Sequence, residues 1–393
     1  MSGVSNTRGL IECRGCAGDT LVEVLDLGAQ PLPSEYALTG EEVMDAFQLT
    51  LRICAECGLG QLPEVVRPER IFHQEYPYFS SASQTWLAHA RDFARSAQEG
   101  LKLSANDWVL EVASNDGYLL GEFAKAGVQV RGVEPAANVA SVAQRKGIPT
   151  EVAFFGADYA RDRVKQWGYP RLVVANNVMA HVPDLFDFTL GLAAVAGPDT
   201  CIAIENPSFL TLLQNAFFDT IYHEHYAYLS VTAMRQLARR AGLELVDVEW
   251  LTTHGGSYRY WLSKHGPVLP RVQQFIVDEQ QAGLMGSALW RDFAERSQRQ
   301  IENARAWLLA QSERGRVVVA YGAAHKGNTF LNAIGSAAKT LRYVVDASEA
   351  KQGKFLPGSQ VPVLSPDQLD RDGPTDVLIL PWNIAPELAS QIR

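Results

Sequence analysis

The sequence predicts an α/β protein in three parts, a small metal-binding module followed by two doubly wound α/β domains. Three observations carry this. Four of the five cysteines form two CxxC knuckles before residue 58. From about residue 105, strand-like runs alternate with helical ones, as in a parallel sheet wound with crossover helices. After a helical interval the same alternation begins again near residue 316. A chain of 393 residues exceeds what one core usually organises, and the expected domains are residues 1–66, 67–250 and 251–393.

In the first module, Cys13-x-x-Cys16 and Cys54-x-x-Cys57 are separated by 37 residues. Two such knuckles present four thiolates to a tetrahedral zinc ion at about 2.3 Å, and the segment between them can form a strand-rich ribbon. Four thiolates leave no open coordination position, so one structural Zn²⁺ is expected. Two redox pairs are disfavoured because neither CxxC opens a helix in a βαβ unit. Cys201, within "TCIAIEN", reads as a small apolar residue on a strand.

The central domain opens with "DWVLEVA" (107–113), the turn "SNDG", a helical "YLLGEFAKAG", a second strand "VQVRGVEP" (128–135) and a helical "AANVASVAQRKG". Further strands are expected at 171–177, 201–207 and 243–250. Residues 270–312 read as helical, with a break expected near "AGLMGS". The last domain then supplies strands at 316–322, 341–348 and 376–383.

Composition bounds the function. With 47% hydrophobic and 20% charged residues, the chain resembles soluble globular proteins, and no apolar run approaches the roughly 18 residues of a membrane helix. The opening "MSGVSNTRGLIECRGC" lacks the apolar stretch of a secretory signal, so a reducing cytoplasm is expected and disulfides are not. Net charge is −9, and the first 60 residues hold nine acids against Arg8, Arg14 and Arg52. That balance repels phosphate backbones and argues against nucleic acid as a partner.

The turn in "EVASNDGYLL" follows a buried strand and opens a helix, a position that receives a carboxylate or phosphate. Its lone glycine, Gly117, is not the G-x-G-x-x-G of dinucleotide sites. Glu111 at the end of the first strand, Asn115 in the turn and Glu134 at the end of the second strand instead suit a nucleoside joined to an amino acid. Glu134 would accept both ribose hydroxyls of S-adenosylmethionine (SAM) while the turn meets the methionine moiety. An α/β domain with capped helices and no cofactor is the alternative.

"EVASNDGYLL", "GVEPAANVA", "NNVMAHVPDL", "IYHEHYAYLS", "HGGSYR", "AYGAAHKGNT" and "LPWN", in this order behind four cysteines, resemble the SAM-dependent sugar C-methyltransferases of antibiotic deoxysugar pathways. The resemblance covers essentially the whole chain. It implies an N-terminal zinc-binding domain, a central class I (Rossmann-like) SAM methyltransferase domain and a C-terminal Rossmann-like domain that helps bind the nucleotide-sugar. It implies methylation at C-3' of a TDP-linked 4-keto-deoxysugar, and it favours a monomer.

Carbon methylation beside a ketone needs a base to form the enolate, a group to steady the oxyanion, and exclusion of water. By the resemblance, His225 is that base, Tyr222 and Glu224 position sugar and base, and His181 and Tyr76 stand near the keto or hydroxyl oxygens. The same motifs add Pro135 and Asn177 to the cofactor set and Tyr78, in "EYPYFSSAS", to the substrate set. Arg259 and Lys326 are candidates for the diphosphate. The family commonly carries alanine where His325 stands, which leaves the choice of nucleotide or sugar open. His223 is expected to face solvent, and His73, His89, His254 and His265 to be structural.

Other readings compete. His223-x-His225 could form a metal pair with His181 or Glu224 if the segment is extended. A packed aromatic loop without chemistry, a methyltransferase for a non-sugar ketone, a zinc-ribbon nucleotide-binding adaptor, and a dehydrogenase using the C-terminal sheet are the remaining alternatives. The last is weak because "YGAAHKG" also lacks the dinucleotide glycines.

Overall fold

The computed structural model describes residues 12–392 apart from 64–65, 73–75 and 77; His73 therefore lies outside the described residues. The N-terminal module is built on β1 (Leu21–Pro31) and β2 (Ala46–Cys54), paired antiparallel, with β3 (Gly60–Gln61) completing the second knuckle. Leu49, Leu51 and Ile53 of β2 are fully buried and give the ribbon its own apolar face. A short helix α1 (Pro68–Ile71) leads to α2 (Gln84–Leu101). Ser83 starts α2 by accepting from the Trp86 amide, satisfying one of the free N–H groups of a helix start. Trp86, Ala90, Phe93, Ala94 and Ala97 then fall on one buried face, the spacing of an amphipathic helix.

The central domain follows the predicted alternation. It runs β4 (Trp108–Val112), α3 (Leu120–Lys125), β5 (Gln129–Val133), α4 (Ala137–Arg145), β6 (Thr150–Glu151), α5 (Ala157–Trp167), β7 (Leu172–Asn176), α6 (Leu185–Val195) and β8 (Cys201–Pro207). Next come α7 (Phe209–Asn215), β9 (Ala227–Tyr228), α8 (Val231–Arg240), β10 (Glu244–Leu251) and β11 (Ser257–Ser263). The seven-stranded sheet has the order β10-β11-β8-β7-β4-β5-β6. Strands β4 to β8 are parallel, and β4, β7 and β8 are buried on both faces, which is why those three read as near-continuous apolar runs. The order reverses between β4 and β7, and ligands of such sheets bind where it reverses, outside the strand C-termini.

Two strands cross the expected boundaries. "SYRYWLS" forms β11, which pairs antiparallel with both β10 and β8, so the central sheet continues to Ser263 rather than ending at 250. Strand β9 pairs with β3 of the N-terminal ribbon, Gly60 opposite Tyr228. The chain that has just passed through residues 222–225 is thereby stitched to the zinc-binding module.

Helices α9 (Pro270–Gln281) and α10 (Ser287–Glu313) are separated at the expected break, where Gly283 takes φ 75°. The C-terminal domain contains β12 (Val318–Tyr321), α11 (His325–Ala333), β13 (Val344–Val345), β14 (Val363–Leu364), α12 (Gln368–Asp372), β15 (Asp376–Ile379) and α13 (Ala385–Gln391). Its sheet, β14-β13-β12-β15, is parallel throughout. Among the described residues, no helix is long and apolar enough to cross a membrane.

Candidate active site

The four predicted metal ligands converge. Cys13, Cys16, Cys54 and Cys57 place their sulfurs within 4.8 Å of one another, and Cys13–Cys57 and Cys16–Cys54 are each 3.6 Å apart. A tetrahedron of thiolates at zinc distance has an edge of about 3.8 Å, so the set fits zinc, whereas 3.6 Å is far beyond a disulfide bond. Backbone amides of Gly15 and Gly18 point at Cys13 and Cys16 sulfurs, the usual support for thiolate charge. It is the one such cluster among the described residues, and it is distant in sequence from the histidines.

At the switch point the turn after β4 is held open by backbone geometry. Ala113, Asn115 and Gly117 have φ of 56°, 49° and 76°. At Gly117 a Cβ would lie 3.1 Å from that of Ala143, so this glycine also lets the turn pack against α4. Glu134, at the end of β5, accepts from the Asn115 amide at 2.9 Å and the Ala136 amide at 2.8 Å. Pro135 carries the chain between those contacts. Burial pushes the Glu134 carboxyl up to about 7 against these two bonds. Each of its oxygens keeps a second acceptor direction, which suits two ribose hydroxyls.

The same edge holds buried polar atoms without partners: Glu111 Oε2, Asp116 Oδ1 and Asn177 Oδ1. Such atoms are costly unless a ligand or water completes them, so the residues fit a bound SAM. Asn177, at φ 53°, takes the Glu205 carbonyl with its amide, and its side chain meets His254 Nε2 at 3.4 Å. Two asparagines carry the cofactor turn to the opposite wall: Asn115 Oδ1 accepts from the Ser80 amide at 2.8 Å, and Asn138 Nδ2 donates to the Tyr76 carbonyl at 2.9 Å. Tyr76 is thereby buried, with Glu224 and Glu134 both acting on its hydroxyl. Tyr78, two residues on, is 48% exposed.

The segment 221–230 assembles the base cluster. A 3₁₀ turn at Phe218–Thr220 leads into it, closed by the Ile221 amide on the Phe218 carbonyl. The Thr220 carbonyl lies 2.9 Å from His225 Nδ1, and Tyr222 Oη lies 2.7 Å from Nε2. A carbonyl only accepts, so Nδ1 carries the proton and Nε2 keeps its lone pair. The Tyr222 hydroxyl donates to that lone pair. His181 stands edge-on to His225, with ring centroids 4.8 Å apart. Burial, with His181, His325 and Lys326 nearby, drives His225 well below the ordinary histidine range, so it is neutral.

Glu224 is fully buried, and neither carboxylate oxygen has an aligned hydrogen-bond donor. Burial pushes it up, but His325 and His181 outweigh that and hold the carboxylate ionised. His223 does not face solvent as expected. It is buried, its Nε2 bonds the Phe47 carbonyl at 2.9 Å and its ring packs on Phe47. The strand-like spacing that would pair it with His225 on a metal is absent because residues 222–225 form a turn, closed by the His225 amide on the Tyr222 carbonyl at 2.8 Å.

Lys326 reaches the site from α11 rather than from the turn before it. Its Nζ bonds Asn383 Oδ1 at 2.8 Å, lies 4.7 Å over the Trp382 ring and forms no ion pair among the described residues. Burial lowers its ammonium, with Asp219 opposing. Arg259 is placed elsewhere. It sits on β11 in a buried network with Glu205 at 2.9 Å, Glu249 at 3.2 Å and the Phe93 face at 4.2 Å. Its charge is satisfied by protein, so it backs the sheet rather than presenting to a diphosphate. His89 joins that network through Glu205 at 2.8 Å.

Three site residues have no signal in the local sequence pattern. His325 Nδ1 stands 3.3 Å from Glu224 Oε2, across 100 residues of chain. Ser34, from the N-terminal ribbon, acts on the same carboxylate. His254, at φ 53°, packs on Trp86 and is pushed down to about 4 by burial. Strained non-glycine backbone of this kind clusters at functional sites.

Family models match the chain in three pieces. They describe a zinc binding domain over residues 13–72, a methyltransferase domain over 86–248 and a C-methyltransferase C-terminal domain over 252–393. The C-methyltransferase NovU of Streptomyces niveus is 34% identical over 97% of this chain and 92% of its own length. Among solved structures, the magnesium protoporphyrin IX methyltransferase ChlM of Synechocystis with bound SAM is 15% identical, covering 50% of this chain and 89% of that one, at a TM-score of 0.34. CcbJ of Streptomyces caelestis is 12% identical over 45% of this chain and 90% of its own, at 0.36. The site geometry and the full-length match to NovU lead to one conclusion: this chain belongs to the C-methyltransferase family, and it is a SAM-dependent enzyme with a zinc-binding N-terminal domain.

Proposed function

We propose that the enzyme methylates C-3' of a TDP-linked 4-keto-deoxysugar, with His225 as the base, in the reducing cytoplasm where its zinc thiolates stay unoxidised. The observation that carries this reading is the fixed tautomer of His225, with Nε2 unprotonated and accepting from Tyr222 and the ring edge-on to His181. Nε2 takes the proton from the carbon next to the ketone, and the electron pair of that C–H bond moves toward the keto oxygen. The Tyr222 hydroxyl, released from Nε2 as it is protonated, can turn its proton to the developing oxyanion; Tyr76 and His181 supply further donors. SAM, when bound, supplies an electrophilic methyl that the enolate carbon takes from sulfur. The imidazolium then returns its proton to water as product leaves.

A histidine held far below its ordinary pKa is a poor base in the empty site. The bound diphosphate and the forming enolate are negative, and each raises it toward neutrality when it is needed. Lys326, lacking a carboxylate partner at the edge of the cluster, suits the diphosphate. The alternative, a non-sugar ketone, leaves Lys326 without a counterion. Single-turnover methyl transfer tests the base: His225→Ala and His225→Asn should each lose about 10²- to 10⁴-fold with SAM binding intact. Full transfer by both folded variants would remove His225 from the role.

A further inference from the structure

Two motifs without a part in the chemistry so far, "LPWN" and "HGGSYR", meet at Trp382. The Trp382 indole N–H donates to Asp219 Oδ2 at 2.7 Å, and its ring stacks on Phe217 with centroids 4.0 Å apart. Against the indole lies Gly255, at φ 86°, where a Cβ would come within 2.8 Å of the ring. That loop is fixed in its turn, since Thr253 donates to the buried Glu205 carboxylate at 3.0 Å. One residue of the C-terminal domain thus grips the central domain at Phe217, Asp219 and Gly255. Burial pushes the Asp219 carboxyl up to about 6, with Lys326 and the indole N–H opposing, so at neutral pH it accepts as a carboxylate. A hydrogen bond to an ionised acceptor is among the stronger kind.

Phe217 and Asp219 belong to the 3₁₀ turn whose last carbonyl, that of Thr220, takes the Nδ1 proton of His225. The Phe217 carbonyl in turn accepts from the Thr220 amide at 3.1 Å and from its hydroxyl at 2.8 Å. Trp382 therefore holds the peptide that sets the tautomer of the base. The same ring carries Lys326 Nζ 4.7 Å from its centroid, and the next residue, Asn383, accepts from that Nζ at 2.8 Å. A cation over an aromatic face is held there by the charge distribution of the ring. Base and cation must act on two parts of one substrate, the sugar carbon and the diphosphate, so their separation has to be fixed. We propose that Trp382 is a positioning residue that fixes the separation of His225 and Lys326 across the domain junction. This rests on the reading of those two residues toward a nucleotide-linked keto-sugar.

The test uses the full-length enzyme with Trp382→Phe, which keeps a ring but loses the N–H, and Trp382→Leu, which loses the ring face as well. Phe218 still packs on Phe330 of α11, with centroids 6.2 Å apart, so both variants keep a contact between the domains. Calorimetry with TDP alone reads the cation. The Nδ1 proton of His225, followed by NMR on histidine-labelled protein and assigned by its absence in His225→Asn, reads the base. Trp382→Phe should shift or broaden that signal and lower single-turnover methyl transfer to TDP-4-keto-2,6-dideoxyglucose about tenfold. Its TDP affinity should stay close to wild type, whereas Trp382→Leu should also weaken TDP about three- to tenfold. Asp219→Ala should reproduce the loss of Trp382→Phe, and the double variant should lose no more than the larger single loss, as two partners of one bond do. An unchanged His225 signal in Trp382→Phe, additive losses in the double variant, or wild-type TDP affinity in Trp382→Leu overturns the proposal while leaving the substrate class intact. So does a lowered melting temperature with signal, affinity and transfer all unaltered, which would make Trp382 structural only. Absence of both TDP binding and transfer in wild type overturns the nucleotide-sugar reading and this inference together.

Discussion

At the scale of single residues, burial decides which groups are charged, and that yields two pH predictions. His225 has its folded pKa lowered well below 6.5, chiefly by burial, with His181, His325 and Lys326 adding to the shift. A base works in its neutral form, so the acid limb of kcat/KM, which reports the free enzyme, should lie below pH 6.5, and that of single-turnover methyl transfer at higher pH because bound substrate raises the group. An acid limb of kcat/KM at or above pH 7 would show that another group controls the step. Glu134 moves the other way, to about 7, because burial outweighs its two backbone donors. Only its ionised form accepts ribose hydroxyls in addition to those amides. Binding of S-adenosylhomocysteine should therefore tighten as pH rises through 7, by up to about tenfold per unit below the pKa. Calorimetry should show that slope in wild type and lose it in Glu134→Gln.

Secondary elements carry these residues to one another, and here sequence and structure diverge in an instructive way. The strands β4, β7 and β8 are readable as apolar runs because both faces are buried, whereas β5 alternates exposed Gln129 and Arg131 with buried Val130 and Gly132. The four cysteines were readable because metal ligation constrains spacing. Arg259 and Lys326 looked alike as cations near a ligand, yet β11 pairs with β8 so that Arg259 sits opposite Glu205 and is spent there. Only the strand register separates them. The sequence places His223 in solvent because the turn that buries it against Phe47 leaves no periodic trace. Tyr76 and Ser80 likewise are held by side-chain bonds, from Asn138 and Asn115 respectively. Asn138→Ala should release the Tyr76 carbonyl and cut single-turnover methyl transfer about tenfold or more, the cost of loosening a positioning group. Its melting temperature should change by only a few degrees, since one partly buried hydrogen bond contributes about 1 kcal/mol.

Across the whole molecule, the site is a junction. Strand β9 follows directly on the base cluster and pairs with β3, which follows directly on the second zinc knuckle. Arg14, inside the first knuckle, donates to the Tyr226 carbonyl at 2.8 Å. The zinc site therefore holds the backbone on the far side of His225, although it offers no atom to the reaction. Chelation, or Cys57→Ser, should lower both the melting temperature and methyl transfer, and zinc should restore both after chelation. Metal analysis should find one zinc per chain; two would bring back a histidine site that the turn at 222–225 disfavours. His325 shows the other half of the junction. Its place beside Glu224 depends on how the C-terminal domain seats, which the local sequence "GAAHKGN" does not encode.

The central claim is that His225 creates an enolate on a keto-sugar, and proton exchange reads that step without methyl transfer. TDP-4-keto-2,6-dideoxyglucose would be incubated in deuterium oxide with enzyme and S-adenosylhomocysteine, and the C-3' proton followed by NMR. The account predicts that wild type washes deuterium into C-3' and that His225→Ala does so no faster than buffer. Absence of exchange in wild type with cofactor product bound, or exchange at the wild-type rate in His225→Ala, would contradict it.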